Sequence, residues 1–261
     1  VPDFLSNRYH EGTKVILGIS ALFILVFFTV YAASCFVTCG KLFSTLFDMP
    51  YHSMMIAGAA FVVVYTFIGG FLAESASDFM QGTVMICALV AVLALGVATA
   101  GGPEAVLEHA RSIPGFLTFF GVATPELTAA GTQSVVDGVA RFGAAGPYGL
   151  LTILSTLSWG LGYFGVPQVL LRFMAIRHED DLKNSRRIAI TWCAISLFAA
   201  VCIGVIGRAL FPADPQLDTA SDAENVFVVL SQHLLPSALA GVTMAGILAS
   251  TISSSDSYLL I

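Results

Sequence analysis

The stretch SWGLGYFGVP, residues 158–167, lies inside a run from Gly149 to Leu171 that carries no charge. A bilayer core of about 30 Å is crossed by about 20 helical residues, so the run is long enough to span it. Yet Gly160, Gly162, Gly165 and Pro167 all weaken a helix there. The Pro167 ring opposes the carbonyl of Tyr163 and removes one rung of the hydrogen-bond ladder. Backbone groups left unpaired in hydrocarbon are costly, so a helix broken here must face protein or a wet cavity. Trp159 and Tyr163 stand four apart and share a helix face. Two readings fit this spacing. One is an aromatic wall beside unwound backbone, suited to a small zwitterion with an apolar body. The other is a proline kink whose glycines allow close helix packing.

The rest of the chain has the same character. Of its 261 residues 57% are hydrophobic and only 11% charged, with a mean hydropathy of +0.87. A soluble domain carries about a quarter charged residues, so this composition implies an integral membrane protein. The few scattered basic residues exclude a nucleic-acid surface. Six apolar runs are long enough to span: 14–46, 53–72, 78–100, 149–174, 188–211 and 236–261. Their length and lack of strict alternation predict helices rather than strands. The loop 175–187 holds Arg177, Lys183, Arg186 and Arg187, which makes it cytoplasmic by the positive-inside rule. Counting spans then puts 101–148 outside, with Arg111 and Arg141 as its basic residues, and 212–235 outside with none.

The chain starts at Val1 without a signal-peptide pattern and stops at Ile261 within an apolar run, so we expect a piece of a longer protein. The outer loops read as solvated connections, 212–235 with room for a short helix. They carry no nucleophile elbow, phosphate loop or metal-ligand spacing. The five cysteines all fall in apolar segments and read as small buried side chains.

Polar groups recur where lipid would be expected. In ILASTISSSDSYLL, residues 247–260, Ser250, Ser253, Ser254 and Ser257 fall at i, i+3, i+4 and i+7, one narrow stripe, with Asp256 on its flank. Serines in membrane helices often bond back to the preceding turn. Hydroxyls and carbonyls can also replace the hydration shell of a hard cation, and an intramembrane carboxylate is a functional candidate. Glu74 and Asp78 stand near the start of the third run. Glu74 reads as a solvated or helix-capping acid, Asp78 less so.

Taken together, these stretches resemble the solute:sodium symporter family, in particular its bacterial proline-carrying branch. The matching stretches are VPDFLSNRY (1–9), FFTVYAAS (27–34), YTFIGGFLAESASDFMQ (65–81), WGLGYFGVPQVLLRFMA (159–175), RRIAITW (186–192) and GILASTISSSDSYLL (246–260). The resemblance implies an all-α polytopic membrane protein of the inner (plasma) membrane. Its fold would be the ten-helix-core, inverted-repeat (LeuT-like) transporter, with these runs as the third to eighth core helices of one incomplete domain.

The function implied is sodium-coupled symport of L-proline by alternating access, with Na+ as coupling ion, no cofactor and no enzymatic chemistry. Same-family carriage of pantothenate, a sugar acid or an osmolyte, or the membrane part of a sensor kinase, are the alternatives. Carried over by residue, sodium would meet the Ser250 carbonyl and the Ser253 and Ser254 hydroxyls. The solute would meet Tyr31, Trp159, Tyr163 and Pro167. Asp78 matches an acid of a second cation site in some relatives, with Ser253, Asp256 and Ser257 near it. Asp256, Gln168 and Glu74 depart from the family's usual residues, and these departures bear on the substrate and on the number of coupled ions.

Overall fold

A computed structural model describes residues 1–261, except for the side chains of Thr45, Leu46 and Phe164. The chain gathers into two compact units, each discontinuous in sequence. The first comprises Val1–Met85, Gly160–Arg186 and Ala245–Ile261; the second comprises Ile86–Trp159 and Arg187–Met244. Among the described residues, five helices are long and apolar enough to cross a membrane.

In the first unit, α1 (Pro2–Arg8) opens with a proline in its first turn, where the missing N–H has no helical partner to lose. Helix α2 (Val15–Phe47) has no side-chain cap from its left-handed Lys14. Glu11 serves instead, accepting from the N–H of Ile16 at 2.6 Å and of Leu17 at 3.3 Å. Desolvation raises the Glu11 carboxyl pKa, but these backbone donors, with Thr13, outweigh it and hold the group below its ordinary value. Its 33 residues run about 50 Å, more than one bilayer core requires. Backbones approach closely where glycine permits. A Cβ on Gly40 would meet Met55 Cβ at 2.7 Å, and one on Gly58 would meet the Cys39 sulfur at 2.8 Å.

The second and third expected spans follow one another without a loop, as two helices joined at a kink. Helix α3 (Tyr51–Thr99) has 49 residues, about 74 Å if straight. It is not straight, because Gly70 takes φ 54°, ψ −154°. Tyr65 Oη and Ser77 Oγ lie 3.4 Å apart, whereas twelve residues of straight helix would separate them by about 18 Å. The chain therefore folds back at Gly70. The sequence reading placed the division at 73–77. The bend falls earlier because ESAS can stay helical, while only a glycine readily takes this backbone conformation.

The broken span comprises α5 (Leu150–Gly162), a 3-10 turn over Tyr163–Gly165, an extended Val166 at φ −66°, ψ 119°, and α6 (Pro167–Met174). The expected discontinuity is present within 160–167, at Tyr163–Val166. Glycine weakens a helix without removing a donor, whereas Pro167 removes one.

In the second unit, α4 (Pro103–Ser112) buries Val106 and Ala110. Two short antiparallel ladders follow: β1 (Gly121–Val122) with β4 (Gly146–Pro147), and β2 (Val135–Val136) with β3 (Val139–Ala140). Asp137 and Gly138 join β2 to β3 with φ of 53° and 75°, the left-handed pair that a tight hairpin turn demands. Helix α7 (Asp181–Leu210) leads to α8 (Val226–Leu234) and then α9 (Ser237–Leu259). Val92, Val106, Ile203, Ile206, Leu230 and Leu235 form this unit's core. The segment 212–235 is thus more than a solvated connection. Its polar start hides VFVVL, which supplies Val229 and Leu230 to the core.

The cysteines are free, and only Cys39 is fully buried; Cys87 and Cys193 are exposed. Large apolar side chains such as Phe67, Leu72 and Leu151 are also exposed, as expected of surfaces that lipid covers.

Candidate functional site

The first unit holds the Tyr163 turn, Pro167, α6, the Tyr31 face of α2, the Gly70 bend and the serine stripe. Trp159 belongs to the second unit, one residue before the chain crosses over. Trp159 and Tyr163 are 65% and 64% exposed, so neither ring is used up in packing. Val166 is extended and Pro167 lacks an N–H, so the regular ladder is interrupted within the apolar span.

Tyr31 packs against Tyr258 with ring centroids 5.4 Å apart, and Phe28 lies 5.5 Å from Tyr258. Tyr163 and Tyr31 both lie within electrostatic range of the Tyr258 hydroxyl. One of the four expected solute contacts, Tyr31, therefore packs against a residue that sequence reasoning passed over. The signal was available, because Tyr258 continues the Ser250–Ser254 line by another helical turn.

Along the stripe, the Ser254 hydroxyl donates to the Ser250 carbonyl at 3.0 Å and the Ser257 hydroxyl to the Ser253 carbonyl at 2.8 Å. This is the back-bonding that serines adopt in apolar helices. It does not exhaust their oxygens. A hydroxyl that donates keeps its lone pairs, and a carbonyl has two. The Ser253 and Ser254 hydroxyls thus retain lone pairs for a hard cation, whereas the Ser250 carbonyl, which accepts from both the helical N–H and the Ser254 hydroxyl, is freed for one only when that hydroxyl turns away. Among the described residues, no cluster of three His, Cys, Asp or Glu side chains could hold a metal ion.

The strongest polar contact was not foreseen. Arg172 Nη2, two turns into α6, lies 2.5 Å from Glu74 Oε1 and 2.5 Å from Asp78 Oδ2. The same nitrogen donates to Ser257 Oγ at 2.8 Å, and that hydroxyl shares its one proton between the Ser253 carbonyl and Glu74 Oε1, 2.9 Å away. Glu74 is only 2% exposed, so it is neither a solvated acid nor a helix cap. With the bend at Gly70, it lies a full turn inside the helix and faces the same way as Asp78. The cluster ties α6, α3 and α9 together.

The charge beside Asp78 is therefore a guanidinium. Asp256 is fully buried; its Oδ1 accepts from the Ser257 N–H at 2.7 Å, and its Oδ2 has no partner among the described residues. Asp78 Oδ1 and Gln168 Oε1 are likewise buried without partners. The clamp thus sets two carboxyl groups against one guanidinium.

The pattern of the Sodium:solute symporter family matches residues 1–261. The chain is 37% identical to the "Sodium/proline symporter" of Staphylococcus aureus strain USA300 / TCH1516, over 100% of this chain and 46% of that protein. The protein of the same name from strain JH9 gives the same identity and coverage. The chain thus spans about half the length of the curated relatives it matches. No solved structure matches it. With the family pattern running from Val1 to Ile261, this multi-pass membrane chain belongs to the Sodium:solute symporter family.

Proposed function

We propose that this chain forms part of a sodium-coupled symporter that imports a small zwitterionic solute, L-proline, by alternating access. The observation that carries the reading is the meeting, in one unit, of a broken span, a tyrosine group and a serine stripe. The extended backbone at Val166 and the rings of Tyr31, Tyr163 and Tyr258 suit a solute with charged ends and an apolar body. Trp159 and Pro167 complete the solute contacts in this reading. The Ser250 carbonyl and the Ser253 and Ser254 hydroxyls supply oxygen for sodium. The identity to sodium/proline symporters over the whole chain supports the choice of solute.

Sodium acts by stabilising one access state. An ion shifts that equilibrium only by its differential affinity for the two states. The stripe lies in the same unit as the Arg172 clamp, so sodium at Ser254 and the position of α6 are mechanically linked through α9. Asp78 and Ser257 bind the tethered guanidinium of Arg172, so we propose that coupling uses the sodium at the stripe. Asp256 holds the α9 backbone at Ser257. In this reading 175–187 is cytoplasmic and 101–148 faces outside, and no bond of the solute is made or broken.

The test is equilibrium binding of labelled L-proline to the purified full-length protein, in sodium and in choline buffer. Pantothenate, a sugar acid and betaine serve as competitors. Sodium-dependent proline binding that these solutes fail to displace supports the reading, and displacement by one of them reassigns the solute.

A further inference from the structure

The second unit contains a cavity of about 220 Å³ that plays no part in this mechanism. It is lined by His109 and Ser112 of α4, Arg141 and Phe142 of the ladder segment, and Arg208 in the last turn of α7. No Asp or Glu lines it. The guanidinium of Arg208 is held in a fixed pose. Its face lies over the Phe142 ring, 4.7 Å from the centroid, and Nη1 donates to Gln133 Oε1 at 2.9 Å. Gln133 is itself fixed, since its backbone N–H donates to the Asp218 carbonyl at 2.8 Å and its side chain to the Arg141 carbonyl at 3.3 Å.

The two remaining nitrogens of Arg208, Nε and Nη2, are buried and have no partner among the described residues. They make up one edge of the guanidinium, the pair of parallel N–H donors that matches the two oxygens of a carboxylate. His109 Nε2, on the same cavity, is also buried without a partner. Orphaned buried donors are rare, and charged ones are especially costly. Here the side chains that carry these three nitrogens line a hollow whose lining residues include two arginines and no acid.

We infer that this cavity is a binding site for a small carboxylate, held by the Nε/Nη2 edge of Arg208 with His109 as a further donor. The inference is independent of the proline assignment, because it rests on a different unit and different residues. Bidentate geometry favours a carboxylate over a spherical anion of equal charge. The volume admits a small molecule of about ten heavy atoms. The carboxylate could come from a free organic acid or from the transported solute pausing at a second site.

The test uses purified full-length protein in sodium-free choline buffer, which keeps sodium-dependent binding apart. Titration calorimetry with choline acetate, against choline chloride and choline phosphate, measures the site directly. We expect saturable acetate binding that chloride and phosphate do not match. Arg208→Lys keeps the charge but loses the fork, so acetate affinity should fall about tenfold or more. His109→Phe should weaken it several-fold. If the Arg208 variant fails to fold, Gln133→Leu, which releases the guanidinium from its pose, should weaken acetate in its place. Displacement of acetate by L-proline but not by prolinamide identifies the solute as the source, and displacement by neither identifies a free acid. Absence of acetate binding, equal binding of chloride, or unchanged affinity in the His109 and Arg208 or Gln133 variants would overturn the inference.

Discussion

Replacing Arg172 by Met keeps the bulk of the side chain and removes the charge that Glu74 and Asp78 share. Removing one partner of a buried ion pair typically costs about 3–5 kcal/mol, because the other charge is left uncompensated. The carboxylates here are well buried, with side-chain exposures of 3% and 13%, but the arginine side chain is 41% exposed. Solvent therefore screens part of the interaction, which lowers the expected loss to about 2–3 kcal/mol. Glu74→Gln in the Arg172→Met background relieves one stranded charge and should return about 1–2 kcal/mol, a coupling expected of directly bonded neighbours. The assay is reversible unfolding of the full-length protein in mixed micelles, for wild type, both single variants and the double. A loss below about 0.5 kcal/mol for Arg172→Met, with no coupling to Glu74, would refute the clamp, since surface pairs give values of that size.

Other expectations follow from local geometry. Gly70→Ala meets no neighbouring atom, so its cost is backbone strain alone, about 1–3 kcal/mol in the same unfolding assay. Glu11→Gln should remove an acid-sensitive part of stability. Because the folded pKa of Glu11 is lowered from 4.5, its contribution is present above that value and fades as pH falls through the lowered one, and the variant's stability profile should be flatter there. Ser254→Ala should raise the sodium concentration for half-maximal proline binding by about tenfold, as loss of one cation ligand would, with saturating proline capacity kept. Unchanged sodium dependence would remove Ser254 from the ion site.

Much of this organisation could be read from residue chemistry, and the exceptions have physical causes. The break before Pro167 was legible because proline deletes a donor whatever surrounds it. Which residues of 160–167 open was not, because whether a glycine turn holds depends on neighbours remote in sequence. Glu74 was misread through a boundary. With a span starting at 78 it sits outside a helix end, but with the bend at Gly70 it is buried within one. Its partner Arg172 lies 98 residues away, and only the packing of α6 on α3 brings them together. The VFVVL of α8 was masked by the acidic, proline-rich residues before it. The fork at Arg208 depends on the register of short ladders and on Gln133, neither of which has a periodic signature. Tyr258 alone was within reach of simple counting, as the next member of the serine line.

The central claim is that sodium binding drives movement of a proline-like solute. Its most direct test is uptake of labelled L-proline by the full-length protein in liposomes, with an inward sodium gradient or an equal potassium gradient. The account predicts accumulation above the outside concentration with sodium only, abolished when an ionophore collapses the gradient and reduced in Tyr163→Ala. Equal uptake in potassium, or proline equilibration that ignores the sodium gradient, would contradict it.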